Sequence, residues 1–338
     1  MSSFISNSDR YPASDWSRCL TAGVRAFLIG VFLLSALIFA VDPYDSGRFG
    51  LLGITGVDDK LPYTANASRA RDGRFDSAIF GDSTGQLIRP AELSPATAKH
   101  FVQLVAPGAT PRGHLAILDF FLRHHAHVGA LVVVIDDPWC ASSAAPSADD
   151  RFPYWLYGDS TLTYARHLFS WSALDRVFQR IAIGLGQRKR FAEDGFWSYE
   201  EVWPPGSRQP SDAPRPPGPR LTGTVDTVFP YKDRLASVIR RLPSEVALVL
   251  VVPPVFHTFL PTPGSQDAAA REACNAAYRI IVAGRPHSNL INYRIDNALT
   301  RDPKNFADLI HYRADIASKV DEGIIASVRQ GNAAKIDF

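Results

Sequence analysis

The chain has 338 residues, of which 46% are hydrophobic and 21% are charged, proportions typical of a folded globular protein rather than a disordered one. Its 36 Lys and Arg residues nearly balance its 34 Asp and Glu residues, and the net charge is +2. Nucleic-acid-binding proteins usually carry a clear basic excess, so this balance argues against that class and we expect no nucleic acid partner. The three cysteines form no CxxC or Cys/His cluster, and we expect neither a metal nor a cofactor.

The first element is an apolar segment from Ala22 to Val41. A helix of this length spans about 30 Å, the thickness of the hydrocarbon core of a bilayer. Arginines lie on its amino side and Asp42 and Asp45 follow it, so the positive-inside rule places residues 1–21 in the cytoplasm and the rest outside. We therefore predict a single-pass signal anchor in a bacterial inner membrane, with the main domain in the periplasm. A cleaved signal peptide and a buried core helix are the alternatives.

After this segment, short apolar runs alternate with amphipathic stretches. The runs Leu131–Ile135 and Val246–Val252 are continuous and rich in valine, as is typical of strands buried on both faces of a parallel sheet. Strands that alternate with helices predict an α/β sandwich. The other strand candidates are Ser77–Phe80, Phe101–Val105 and Leu290–Tyr293, and the helix candidates are Arg112–His124, Tyr231–Arg241, Ser265–Ala283 and Ala314–Val328.

The domain boundaries follow from the same pattern. We predict a linker at residues 42–70 and one domain at residues 71–338, with an insertion at about 141–230. Residues 141–200 are rich in aromatic side chains and are predicted to be helical, whereas the proline-rich residues 203–219 are predicted to be an exposed loop.

A strand candidate leads directly into Gly81-Asp82-Ser83-Thr84, where a helix can begin. A serine at such a turn exposes its hydroxyl at the carboxyl edge of the sheet, and the first amides of the helix point toward the group it attacks. Ser83 is therefore a candidate nucleophile, with an ordinary helix cap by Asp82 or Ser83 as the alternative. Residues 158–161 repeat the tetrapeptide without a preceding strand, and we predict a cap or turn there.

A second motif lies near the end of the chain, where Asp308 and His311 are three residues apart before a helix. In such a turn the carboxylate can hold one imidazole nitrogen while the other faces a nucleophile. A surface pair is the alternative for this common spacing. The early serine and the late Asp-x-x-His support each other, because together they supply all three members of a catalytic triad.

In this order the motifs resemble the SGNH/GDSL hydrolase superfamily, in particular its membrane-anchored, envelope-modifying branch of alginate O-acetyltransferase-like and D-alanyl-transfer-like proteins. Ser83 matches the nucleophile block, and Asp308 and His311 match the block that supplies the acid and the base. Gly108, after the second strand, is similar to the glycine whose amide joins the oxyanion hole. The resemblance covers roughly residues 74–328 and implies a three-layer α/β/α sandwich with a parallel sheet.

The resemblance implies acyl transfer through a Ser-His-Asp triad. Ser83 would attack an acyl carbonyl, His311 would move the proton and Asp308 would fix the imidazole tautomer, while the amides of Ser83 and Gly108 hold the oxyanion. The implied acceptor is an exported or cell-envelope polysaccharide, and the implied donor partner is a membrane protein. Where typical members carry Gly-x-Asn-Asp, residues 134–137 read Val-Ile-Asp-Asp, so one oxyanion donor is missing.

Two rivals remain open: a plain carbohydrate or lipid esterase, and a non-catalytic glycan-binding scaffold of a polysaccharide synthesis or export assembly. Asp137, Trp139 and His257 follow the third and fourth strands and are candidate substrate contacts. Asp136 and Asp137 suit either a paired carboxylate site or turn capping. His124 and His127 could bind a metal, but no carboxylate or cysteine is adjacent, and cationic groups suit a helix end in any case. In an oxidising compartment Cys140 and Cys274 could form a disulfide.

Overall fold

The core of the domain is a parallel sheet. The computed structural model describes residues 13–141, 152–211 and 228–331. Within these ranges the five strands are β1 (Ser77–Phe80), β2 (Phe101–Gln103), β3 (Ala130–Val134), β4 (Ala247–Val252) and β5 (Asn289–Asn292). They lie in the order β2-β1-β3-β4-β5, and all neighbours pair in parallel. Every strand predicted from the sequence is present, with ends shifted by at most two residues, so the α/β fold class is confirmed.

Helices precede, connect and follow the strands, and the four predicted helices are among them. The helices of the described ranges are α1 (Ala13–Val41), α2 (Pro62–Ala70), α3 (Pro90–Thr97), α4 (Pro111–His124), α5 (Tyr154–Tyr157), α6 (Thr161–His167), α7 (Trp171–Gly184), α8 (Pro230–Ile239), α9 (Gln266–Val282), α10 (Ala298–Arg301) and α11 (Ala314–Gln330).

Both faces of the sheet are buried. On one face Val133 and Leu250 belong to a core that includes side chains of α4, α8 and α9, and on the other face Val132 and Val249 pack with α3 and α11. Successive residues of a strand point to opposite faces. Since both faces are covered, every position of β3 and β4 is apolar and buried, which explains the continuous valine-rich runs in the sequence.

The N-terminal helix α1 is longer than the predicted segment of residues 22–41 and is apolar and long enough to cross a membrane. Only 11% of its most apolar window is buried, which argues against a core helix of the domain. Its side chains are exposed from Trp16 to Leu34, whereas Ile38 and Val41 in the last turn lie in the main core cluster. Only the last turn of α1, which we call its root, therefore packs in the domain. The exposed part of the helix projects away from it.

Residues 42–70 differ from the predicted linker because they fold onto the domain. Asp45 is buried and pairs with Arg180 of α7 at 3.0 Å. Helix α2 packs along α4, and Asn66 Nδ2 donates a hydrogen bond to the Val105 carbonyl at 3.0 Å. Composition did not reveal this packing because the anchors are polar side chains whose partners lie far along the chain.

The predicted insertion after β3 contains α5, α6 and α7 and then returns to the sheet. The Gln103 amide donates to the Asp194 carbonyl at 2.7 Å, so this segment covers part of the outer edge of β2. The close approach requires glycine at position 195, where a Cβ would lie 2.0 Å from the Gln103 carbonyl oxygen. Residues 203–211 of the predicted proline-rich loop contain no helix or strand, and the rest of that prediction falls on residues 212–219, outside the described ranges.

A disulfide joins Cys140, in the turn after β3, to Cys274 of α9. The sequence left this pairing open. The bond ties the end of a central strand to a helix that precedes the last strand, and the two cysteines have a sequence separation of 134. Disulfides of this kind persist in oxidising compartments.

Candidate active site

The candidate catalytic residues meet at the carboxyl edge of the sheet. The chain passes from β1 to β2 on one side, while β3 lies on the other side of β1. Connections that leave a strand in opposite directions open a crevice at its carboxyl end, where ligands bind in α/β proteins. Ser83 follows β1, and the loop that carries Asp308 and His311 reaches the same crevice.

The turn that carries Ser83 depends on two glycines because β3 passes close to it. A Cβ at Gly81 would lie 2.7 Å from Cβ of Val134, and a Cβ at Gly85 would lie 2.9 Å from Cγ2 of the same residue. Any side chain at either position would push β3 away from the turn. The glycines therefore allow Ser83 to sit directly above the central strands.

Asp82 caps this turn. Its Oδ1 accepts hydrogen bonds from the Thr84 amide at 2.8 Å and from the Thr84 hydroxyl at 2.6 Å. The sequence left open whether Asp82 or Ser83 was the cap, and the structure assigns the cap to Asp82. The Ser83 hydroxyl is thus left to contact the loop opposite.

The acid and the base lie on a closed loop, Asn305–Arg313. The Ala307 amide donates to the His311 carbonyl at 2.7 Å, and a second backbone bond of the same length joins the two ends of the loop. Phe306 and Tyr312 form an antiparallel bridge, and both side chains are buried in the core beneath the loop. The loop is therefore anchored on both sides of its tip.

A chain of hydrogen bonds connects the three residues. His311 Nε2 lies 2.8 Å from Ser83 Oγ, and His311 Nδ1 lies 2.7 Å from Asp308 Oδ2. The other carboxylate oxygen, Oδ1, accepts from the amides of Ile310 at 2.9 Å and His311 at 2.8 Å. Both distances along the chain suit proton transfer to and from the serine. Asp308 and His311 therefore do not form an isolated surface pair, which was the alternative for their spacing, because His311 also contacts Ser83.

The electrostatics keep Asp308 ionised. Burial raises the pKa of this carboxyl, but the hydrogen bond and charge of His311, together with the amides of Ile310 and His311, outweigh it and hold the pKa below its ordinary value. An ionised Asp308 accepts a hydrogen bond from Nδ1–H of His311. In that tautomer Nε2 is unprotonated and faces Ser83 as an acceptor, which is the state a general base needs.

The candidate oxyanion donors lie on neighbouring strand ends. The Ala106 amide donates to the Gly81 carbonyl at 2.8 Å, and Ser83 and Gly108 each come two residues later. Within the described ranges, the amides of Ser83 and Gly108 donate no hydrogen bond to the protein. Tyr63 of α2 braces this second loop, because its hydroxyl donates to the Pro107 carbonyl at 2.5 Å. The assignment of the two amides to an oxyanion hole stays a prediction.

Asp136 occupies the position of the missing asparagine. Its carboxyl contacts Asp82, the cap of the nucleophile turn, and does not form a pair with the neighbouring Asp137. It is 6% exposed and hydrogen-bonds Asp82. Burial, the charge of Asp82 and the hydrogen bond with it raise the pKa of Asp136 well above its ordinary value. Burial beside Asp82 therefore favours the protonated form of Asp136. Its Oδ1 has no hydrogen-bond partner among the described residues.

Asp137 has a structural ion pair. Burial raises the pKa of its carboxyl, but the charges of Arg294 and Arg271 and the hydrogen bonds from both outweigh it, and the pKa is well below its ordinary value. Both guanidiniums contact the same carboxylate oxygen, Oδ1, so Asp137 joins β3 to α9 and to the chain after β5. Its side chain is 29% exposed, and a substrate contact by Asp137 stays a prediction.

The other two candidate substrate contacts have different fates. Trp139 is 1% exposed and packs against Tyr278, so it belongs to the core and is not a substrate contact. His257 lies in the turn after β4. The Phe256 amide in this turn donates a 2.9 Å hydrogen bond to the Leu309 carbonyl, which belongs to the loop Asn305–Arg313. A substrate contact by His257 stays a prediction.

Two weaker motifs have structural roles. Ser160, in the second copy of the tetrapeptide, caps α6 by accepting from the Thr163 amide at 3.1 Å, as predicted. His124 Nδ1 lies 2.8 Å from the Phe120 carbonyl within the last turn of α4. The described residues contain no group of three potential metal ligands.

Two aromatic residues that were not predicted from the sequence flank the base. The rings of Tyr199 and Trp203 each lie 5.4 Å from the His311 ring, edge to face. The hydroxyl of Tyr199 donates to the Tyr312 carbonyl, and Arg313 donates to the Trp203 carbonyl. The aromatic richness of the insertion was the signal, but nothing in the sequence showed that these rings would reach His311.

The arrangement has the parts that nucleophilic acyl transfer requires: a hydroxyl, a base within hydrogen-bond distance, an ionised group that orients the base, and nearby amides. Ser83 is half-buried and the Asp308 side chain is 40% exposed, so the crevice is open to solvent. Comparison of the chain with models of known protein families found no match, and comparison with curated proteins found none.

Proposed function

We propose that the protein is a membrane-anchored, extracytoplasmic serine acyltransferase or esterase of the SGNH type, with a three-layer α/β/α domain. The observation that carries the proposal is the hydrogen-bonded series Ser83–His311–Asp308 at the carboxyl edge of the sheet. The serine and the histidine lie 228 residues apart in the chain and belong to separate elements. Two elements so far apart must both be positioned by the fold for this series to form, which a chance pair on the surface does not require.

The reaction begins with the serine. Ser83 Oγ attacks an acyl carbonyl while its proton passes to His311 Nε2, and the imidazolium that forms is stabilised by Asp308. The carbonyl oxygen becomes an oxyanion that the Ser83 and Gly108 amides receive, and one such donor contributes about 3 kcal/mol to the transition state. His311 then returns the proton to the leaving group, and the acyl group remains on Ser83.

The second half reverses these steps with a new acceptor. His311 takes a proton from an acceptor hydroxyl, which attacks the acyl-enzyme, and Ser83 recovers its proton when it leaves. Water as the acceptor gives an esterase, and a sugar hydroxyl gives a transferase. The ring of Trp203, which is partly exposed beside the base, favours a sugar acceptor, because aromatic faces pack against the apolar faces of sugar rings. We propose an exported or cell-envelope polysaccharide as this acceptor and a membrane protein as the acyl-donor partner.

The proposed location rests on two features. Helix α1 is apolar and long enough to span a membrane, and its last turn, with Ile38 and Val41, is part of the core. Removal of the helix as a signal peptide would take these side chains from the core, so a retained anchor is favoured. The Cys140–Cys274 disulfide favours an oxidising, periplasmic environment for the domain.

A serine-reactive fluorophosphonate tests the proposal in the full-length, membrane-reconstituted protein. We expect an adduct on Ser83 by mass spectrometry, because the base that activates the serine for an ester also activates it for this reagent. The adduct should disappear in His311→Ala. The matched control is Ser160→Ala, which alters the same tetrapeptide at a helix cap and should leave labelling unchanged.

A folded sample that forms no adduct at Ser83 would contradict the enzyme and favour the glycan-binding scaffold. When labelling is observed, acetyl release from a p-nitrophenyl ester with and without added oligosaccharide separates the two enzymes. A transferase should form acylated sugar, whereas an esterase should form free acetate only.

A further inference from the structure

Helix α7 has an apolar face that the described part of the chain leaves uncovered. Trp171, Phe178 and Leu185 follow one another at intervals of seven residues, which places them on one side of a helix. Each is more than half exposed, and Trp171 is 86% exposed. The opposite side of the helix, which includes Ala173 and Val177, is buried in the domain.

This helix is fixed to the root of α1. It contacts α1 directly, and Phe169, just before it, lies with its ring 6.1 Å from the ring of Phe39. Arg180 donates to the Asp42 carbonyl, immediately after α1 ends, and pairs with Asp45 at 3.0 Å. Its guanidinium is 1% exposed, so the joint between the two helices is buried.

A second exposed apolar segment folds back on the same root. The Gly50 amide donates to the Phe39 carbonyl at 3.1 Å, and the Leu52 amide donates to the Ala40 carbonyl at 3.3 Å. Leu51 between them is 89% exposed. This segment therefore lies beside the last turn of α1 and presents leucines outward at that level.

The length of α1 fixes where this level lies. The stretch from Trp16 to Ala36 lies outside the core and covers about 30 Å at 1.5 Å per residue, which matches the hydrocarbon core of a bilayer. When this stretch spans the membrane, the last turn of α1 lies at the outer boundary of the bilayer. Everything bonded to that turn, including α7 and residues 50–52, lies there as well.

We propose that the outer leaflet of the bilayer covers the apolar surface formed by Leu51, Leu52, Phe169, Trp171, Phe178 and Leu185, so that α7 is an interfacial helix. The proposal rests on the membrane anchor of the proposed function. Two observations favour lipid over a protein partner: the surface is continuous with the root of the spanning helix, and an exposed basic pair lies just past α7, with Lys189 five residues after its end and Arg188, which pairs with Asp58 at 2.7 Å, beside it. Basic residues beside an apolar helix face are typical of helices that lie on anionic membranes.

The consequence concerns the catalytic edge. A spanning helix with a flexible linker would let the domain rotate, whereas α1 and α7 together hold it to the membrane at two places. The crevice that holds Ser83 then stays at one height and in one orientation above the bilayer. Acyl donor and acceptor must both reach it there.

Depth-dependent fluorescence quenching in vesicles tests the surface. In full-length protein with Cys19→Ser, single cysteines are introduced by Trp171→Cys or Phe178→Cys, labelled with an environment-sensitive dye, and reconstituted in phosphatidylcholine and phosphatidylglycerol vesicles. Lipids with a quencher near the headgroup should quench both labels, and aqueous iodide should quench them several-fold less than a label at Ile280→Cys. Ile280 is the matched control, because it is an apolar residue 73% exposed on α9, which contacts β4, β5 and α8.

A label at Phe32→Cys, within the exposed part of α1, reports the anchor separately. Quenching of the Phe32 label by deep-quencher lipids, with Trp171 and Phe178 labels behaving like Ile280, would overturn the interfacial surface and leave the anchor intact. A Phe32 label open to iodide would overturn both. Fluorophosphonate labelling of Ser83 in the same vesicles reports the proposed activity independently of either outcome.

Discussion

The tetrapeptide Gly-Asp-Ser-Thr occurs at residues 81–84 and at residues 158–161, and the two copies have different structures. In the first, the glycine follows a buried strand, and the serine hydroxyl of Ser83 lies 2.8 Å from His311 Nε2. In the second, the glycine ends a short helix, and Ser160 caps the next one. Identical residues form a candidate nucleophile turn in one place and a helix cap in the other.

The aspartates of the two copies differ in the same way. Asp82 hydrogen-bonds the amide of its own turn and contacts the buried Asp136. Asp159 is 85% exposed and pairs with Arg123 at the surface. The elements that precede and surround the tetrapeptide, rather than its sequence, therefore decide what it does, and the second copy serves as an internal control for the first.

The largest expected difference is in activity. Ser83→Ala should lower kcat for ester hydrolysis by about 10⁶-fold, because it removes the nucleophile, while Ser160→Ala should leave kcat unchanged. Because the triad acts as a unit, the double variant Ser83→Ala/His311→Ala should lose little more than either single variant. Steady-state kinetics on an activated ester measure all four proteins. Multiplicative losses in the double variant would contradict the triad.

A smaller loss is expected when the orienting carboxylate is removed. Asp308→Asn keeps the size of the side chain but replaces the acceptor of His311 Nδ1–H, so the wrong tautomer becomes favoured and kcat should fall by about 10⁴-fold. Fluorophosphonate labelling at Ser83 should slow in parallel. The matched control is Asp159→Asn in the second copy, which should change neither rate. A loss of less than tenfold in Asp308→Asn would argue for a merely structural Asp308.

The glycines provide a stability test of the same comparison. At Gly81 a Cβ would lie 2.7 Å from Cβ of Val134, so Gly81→Ala should destabilise the protein by about 1–3 kcal/mol through overpacking. At Gly158, φ is −73° and the nearest atom, the Tyr154 carbonyl oxygen, would lie 3.3 Å away, so Gly158→Ala should cost less. Chemical denaturation measures both. Adding Val134→Gly to Gly81→Ala removes the Cβ that the new methyl group would meet and should relieve the clash, and fully additive losses would show that Val134 is not the obstacle.

The pH dependence of stability also tests the contrast between Asp82 and Asp159, because Asp82 lies beside the buried Asp136 whereas Asp159 is exposed. The pKa of Asp136 beside Asp82 is raised on folding, so the native state binds more protons than the unfolded state and stability falls as pH rises above about 4. Each unit of pKa difference is worth about 1.4 kcal/mol. Asp136→Asn keeps a hydrogen-bond donor to Asp82 and removes the titration, so the variant should gain stability relative to wild type as the pH rises above about 4. Parallel Tm curves for the two proteins would show that Asp136 is not the titrating group.

The sequence predicted those features whose signals are local. Valine-rich runs identified β3 and β4 because strands buried on both faces must be apolar at every position. The sequence also pointed to Ser83, Asp308 and His311, which the structure joins by hydrogen bonds, because each belongs to a short motif and their order along the chain matched a known arrangement. The absence of a strand before Gly158 was enough to predict a cap in the second copy.

Features that depend on contacts between distant segments were missed. Trp139 follows a strand at the active edge, and only the packing of α9 and the disulfide explains why it faces inward. Tyr199 and Trp203 reach His311 from an insertion more than 100 residues earlier, and no spacing rule relates them. Residues 42–70 look like a linker by composition, yet Asp45 finds its partner at Arg180, 135 residues away.

The smallest expected effect is on stability, where we expect the loss in Ser160→Ala and not in Ser83→Ala. Ser160→Ala removes the cap of α6 and should destabilise the protein by about 1 kcal/mol, because the Thr163 amide loses its acceptor. Ser83→Ala removes no cap, since Asp82 holds that turn, and should leave the free energy of unfolding nearly unchanged. Thermal unfolding of the two variants beside the kinetics above gives a crossed result: one serine affects activity alone and the other stability alone. A comparable loss of stability in Ser83→Ala would mean that the Ser83–His311 hydrogen bond also holds the loop Asn305–Arg313 in place.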